Sequence, residues 1–196
     1  MPEWDEGELP DSRLRPLVRE TTGTMISNQP TVDDKQIERL PMTTPTQLQI
    51  LQATLAKIGP EAFTAEDYNP GLIRHIVLFQ YAPDATAEQR GQVVERFLAL
   101  EDACRRKSGA RYLISIETGV QTSGEGADKG LNQGFIVTLK SEGDRNHYVG
   151  TPVVVDPAYY DPAHQAYKDF IKPLVSNVLV FDFPVEQQTY LRATPA

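Results

Sequence analysis

Apolar positions are sparse and irregular up to about residue 46, and dense and periodic from Ile73 onward. Ile73, His75, Val77, Phe79 and Tyr81 alternate with Ile76 and Leu78, which predicts a strand apolar on both faces. Thr86-Ala-Glu-Gln89 is a capping box, after which Val93, Val94, Phe97, Leu98 and Leu100 recur at helical spacing until the chain reaches Gly109. A strand over Tyr112–Thr118, a glycine-rich loop from Gly119 to Gly134 and a strand over Phe135–Leu139 follow. Ser141 opens a short helix running to Tyr148 and stopped by Gly150. Asp161 as cap and Pro162 at the first helical position start another, ending near Leu174 before a last strand, Val178–Phe183. The order β-α-β-β-α-β, with its second helical region in two pieces, is the ferredoxin-like α+β arrangement. Helices then cover one sheet face only. Strands apolar on both faces therefore predict a second sheet over the other, most simply that of a twofold partner through the face bearing alternate residues of Ile73–Tyr81, and Phe79→Asp is expected to unfold or monomerise the protein.

Upstream, residues 1–71 read as an irregular arm rich in Pro and Thr. It contains one amphipathic helix over about 46–58, with Thr46 as cap, Leu48, Leu51, Leu55 and Ile58 as its stripe, and Gly59-Pro60 as its stop. That stripe is expected to dock on the following domain, residues 72–184, or on a partner subunit; residues 185–196 form a tail.

Charge narrows the partners. Residues 1–70 hold 12 acidic and 6 basic side chains, so most of the net −8 lies in the arm, and no basic cluster points to nucleic acid. The single cysteine, Cys104, excludes an intrachain disulfide and reads as a buried inert thiol. An acidic N-terminus without an apolar stretch and the lack of a long apolar run lead to the expectation of a cytoplasmic protein away from membranes.

Candidate chemistry centres on His164. In the first turn of a helix the macrodipole disfavours a protonated imidazole, so a neutral His164 serves either as a general base or as a polar surface residue. His75 is either a core histidine or part of a cavity, and His147 is expected on the surface. No His pairs with another ligand at metal-binding spacing, so neither a metal nor a cofactor is expected. The loop Gly124–Gly130 lacks the ending and the following helix of a phosphate cradle.

Four segments, Ile73-Arg-His-Ile-Val-Leu-Phe79, Gly130-Leu-Asn-Gln-Gly-Phe135, Pro162-Ala-His-Gln-Ala-Tyr167 and Val178-Leu-Val-Phe-Asp-Phe183, resemble in this order the stress-responsive A/B barrel domain family. The resemblance implies a dimeric α/β barrel and a distant likeness to olivetolic acid cyclase, the family's aldol-type polyketide cyclase. By motif it implies His164 as base, Tyr148 as its helper and His75 as a further cavity residue, with Val77, Phe79 and Tyr167 contacting substrate. The segment Thr151–Tyr160 interrupts the family pattern, so Tyr159 or Tyr160 can stand in for Tyr148, and Val153-Val154-Val155 is expected to lid the cavity. Two functions follow. One is a cofactor-independent cyclase, lyase or isomerase acting on a small apolar or aromatic carbonyl compound. The other is a non-catalytic barrel that persists as a stress protein or sequesters a ligand.

Overall fold

The computed structural model describes residues 44–186. The arm before Thr44 and the end of the tail lie outside the described residues. The elements are α1 Gln47–Ile58, α2 Pro60–Phe63, β1 Pro70–Tyr81, α3 Ala87–Ala103, β2 Leu113–Val120, β3 Gln133–Ser141, α4 Glu142–Val149, α5 Pro162–Ile171 and β4 Val175–Pro184. The expected capping box forms at Thr86/Gln89, and the expected cap Thr46 proves to be part of a second box with Gln49. The strands make one antiparallel sheet in the order β2-β3-β1-β4, which is the ferredoxin-like fold.

Alternation along β1 divides the sheet into two unlike faces. On one, Ile73, His75, Val77, Phe79 and Tyr81 are buried. Here Phe97 of α3 stacks on Phe135 of β3 at 3.9 Å between centroids and meets Tyr167 of α5 edge-on at 5.1 Å. On the other face the register aligns Ile136, Ile76 and Phe181 in one row and Gly134, Leu78 and Leu179 in the next. Among the described residues nothing covers that second face at β4, where Phe181 is 59% exposed. Phe79 thus faces the helices and belongs to the chain's own core, which corrects its expected place in a dimer interface.

The helix α1 forms where its spacing predicts, but within this chain its stripe is only partly covered: Leu48 is exposed and Leu51 and Leu55 are half-buried. The stretch after it, assigned by composition to the arm, is tightly packed instead. Phe63 is fully buried, its carbonyl accepts from Asn146 Nδ2 at 2.8 Å, and the carbonyls of Tyr68 and Asn69 accept the first free N–H groups of α4. The approach is so close that a Cβ on Gly143 would lie 1.7 Å from the Ala65 carbonyl oxygen. This contact encloses α4 despite its polar sequence, and every residue from Gly143 to Tyr148 is buried.

A candidate active site between α5 and the sheet

A cavity of about 490 Å³ lies between α5 and the buried face of β1 and β4. Its wall combines Val77, Phe79, Phe97, Tyr167 and Ile171 with two histidines, His75 and His164. Volume and lining both fit a small-molecule site, in which apolar walls surround a few placed polar groups.

Local structure sets each histidine. Asp161 is buried and caps α5: its Oδ1 accepts from the N–H of Ala163 at 2.8 Å and of His164 at 3.2 Å, while Oδ2 accepts from the Tyr112 hydroxyl at 2.7 Å. The cap orients the first turn, and His164 then points back at α4, with Nδ1 2.6 Å from the Tyr148 carbonyl. A carbonyl can only accept, so Nδ1 carries the proton and Nε2 is left as an unpaired acceptor. The ring stacks on that of Tyr148 at 3.8 Å. Burial, reinforced by the neighbouring His75 and Lys168, pushes the His164 pKa down to about 3. His164 is therefore neutral at pH 7, as its first-turn position predicts, although burial rather than the dipole is the main cause.

His75 is fixed from the other side. The β1–β4 register places Asp182 opposite it, and His75 Nδ1 donates to Asp182 Oδ1 at 2.6 Å. Arg145 NH1 reaches Asp182 Oδ2 at 3.1 Å. Burial favours the neutral Asp182 carboxyl, yet His75 and Arg145 together outweigh it and hold the carboxyl below its ordinary value. An ionised acid thus orients the histidine, leaving Nε2 of His75 as the free nitrogen.

The remaining expected residues divide. Val77, Phe79 and Tyr167 line the cavity, as does the start of the inserted segment, Thr151 and Pro152. Tyr148 contributes its ring and its carbonyl, but its hydroxyl is enclosed without a hydrogen-bond partner, and burial raises its pKa well above the ordinary value. The Tyr167 hydroxyl is spent on the Val93 carbonyl at 3.2 Å. Tyr159 and Tyr160 do not reach the cavity. Tyr159 lies in a separate cleft beside His147, and Tyr160 packs against Gly150. The expected valine lid is also absent from the wall: Val154 is buried elsewhere and Val155 is 71% exposed. His147, expected on the surface, is buried, with Nδ1 3.0 Å from the Tyr159 carbonyl and Nε2 enclosed without a partner. Asp182 and Arg145 were not foreseen. The one signal for Asp182 was an acid at an inward position of an otherwise apolar strand.

The family model of the stress responsive A/B barrel domain matches residues 73–185, more than half of the chain. Among solved structures, the chain is similar to a protein of Arabidopsis thaliana at 16% identity (TM-score 0.47, covering 62% of this chain and 99% of that one). It is also similar to a hydroxynitrile lyase from Passiflora edulis at 15% identity (TM-score 0.48, 62% and 99%). A dimeric ferredoxin-like protein of unknown function from Thermobifida fusca is similar at 21% identity (TM-score 0.43, 60% and 93%). No curated protein matches the chain.

Proposed function

This chain belongs to the stress-responsive A/B barrel family, and on that premise we propose that it is a homodimer whose cavity takes a small apolar carbonyl compound and removes a proton from the carbon beside the carbonyl, with no cofactor. The observation that carries this reading is the convergence of His75 and His164 on one apolar cavity, each with its Nδ1 already engaged.

The two rings take different roles. His75 is the base: the C–H proton passes to Nε2, the bonding pair becomes the enolate, and Asp182 stabilises the imidazolium that forms. His164 accepts a hydrogen bond from a substrate hydroxyl and stays neutral. This reverses the roles expected from the sequence, because a ring with a pKa of about 3 has little affinity for a proton at neutral pH. The exposed row of Leu179, Phe181 and Phe183 on the outer sheet face supports the dimer, since an apolar face of this kind favours a second sheet.

One observation favours the non-catalytic alternative. The Tyr167 hydroxyl is engaged by the Val93 carbonyl, and the unpartnered Tyr148 hydroxyl is enclosed and not part of the cavity wall, so neither is placed to hold an enolate oxygen.

Deuterium incorporation beside the carbonyl of aryl and alkyl ketones in D2O, followed by NMR, tests the proposal. Wild type is expected to exchange, and His75→Ala to lose about a hundredfold or more. Ketones that bind without exchange would leave a sequestering barrel, and ketones that do not bind would remove the ligand site.

A further inference from the structure

The charge on the cavity wall is one-sided. Lys168 and Lys172 line it together with the two histidines, and among the described residues no carboxylate does. Asp182 stands behind His75, which it pairs, and Asp169 accepts a hydrogen bond from Gln165 at 3.3 Å. Lys168 is half-buried and, among the described residues, gives its protons to neutral acceptors only, the Val149 carbonyl at 2.9 Å and the Thr151 hydroxyl and carbonyl at 3.0 and 3.3 Å. Its charge is tied in place without being neutralised, though Asp169 tempers it. Lys172 is exposed at the rim and, among the described residues, has neither a salt bridge nor a side-chain hydrogen bond. A protein of net charge −8 has thus placed, among its described residues, two lysines and no acid around this apolar cavity. The depressed His164 pKa records the same field, since after burial its causes are His75 and Lys168.

Resting on the reading of this cavity as a ligand site, we propose that its ligand is an apolar oxo acid: a medium-chain or aryl carboxylate that also carries the ketone, whose hydrocarbon body lies among Val77, Phe97 and Ile171 and whose carboxylate is held at the rim by Lys172, beside Lys168. An amphiphile of this kind uses both halves of the wall. Its body replaces water against apolar side chains, and its carboxylate meets a cation that has no other partner among the described residues. A neutral ligand of equal size gains only the first term.

Calorimetric titration of the full chain with octanoate and with octanamide separates the two terms. Octanoate is expected to bind about five- to tenfold more tightly at low salt, the worth of one partly exposed charge-assisted contact, with the preference shrinking as ionic strength rises. Lys172→Gln should bring octanoate down to the level of octanamide and leave octanamide unchanged; Lys172→Glu should take it lower still. Octanamide binding as well as octanoate would overturn the acid ligand while leaving the cavity a binding site. Equal losses for both ligands in Lys172→Gln would also overturn it, since the lysine would then shape the wall rather than select charge. If neither ligand binds, the cavity reading falls and this inference with it.

Discussion

His147 and His164 look alike by every local measure. Each is 7% exposed, each turns Nδ1 to a backbone carbonyl, and burial lowers the pKa of each. They differ in what the second nitrogen meets. His147 borders a cleft too, but its Nε2 is enclosed without a partner, whereas Nε2 of His164, which lines the cavity, is not enclosed in this way. Burial and a depressed pKa therefore do not mark a site, and scaffold and site are told apart by whether the unspent atom faces protein or space. The comparison also divides α4 itself: Asp144, Asn146 and His147 bind the helix to its neighbours, while Tyr148 supplies the floor under His164.

The largest expected effect breaks the scaffold side. Gly143→Ala places a methyl group against the Ala65 carbonyl, and the backbone of α4 or of its neighbour must move, at about 3 kcal/mol. Chemical denaturation should show this as a lower midpoint. On the site side, Asp161→Ala removes the acceptor for two N–H groups and the Tyr112 hydroxyl and should cost about 2 kcal/mol by the same measurement.

Acid sharpens the comparison. Both histidines are harder to protonate folded than unfolded, so the unfolded chain takes up protons first as pH falls below about 6.5. The stability tied to each is complete above that pH and is lost on the way down toward the folded value. For His164 this window runs from about 6.5 to about 3, with a slope of up to about 1.4 kcal/mol per pH unit. Denaturation midpoints measured at pH 7.5 and 5 should fall in wild type and fall less in His164→Ala. The smallest effect concerns function: His147→Ala should cost about 1 kcal/mol of stability and leave ligand affinity at the wild-type value.

The fold was legible because period and caps agree along most of the chain. The alternation in β1, the capping box before α3 and the Asp161-Pro162 start of α5 each specify an element by themselves. The site was legible only in part. His75, Val77, Phe79, His164 and Tyr167 meet because two elements with clear periodicity bring them together. Asp182 was hidden in register, since its pairing with His75 requires the alignment of β1 with β4. The polar helix Glu-Gly-Asp-Arg-Asn-His-Tyr-Val carries no apolar stripe, so its burial by hydrogen bonds to a segment about 80 residues earlier could not be read from the pattern. Tyr159 and Tyr160 sit on an irregular segment whose path follows no period at all.

The most direct test is the ring-nitrogen NMR spectrum of protein labelled with 15N-histidine, which holds three residues, recorded at pH 7 with and without saturating octanoate. The account predicts that His75 and His164 shift and that His147, neutral and enclosed, does not. A shift confined to His147, or none at any histidine under conditions where calorimetry detects binding, would contradict it.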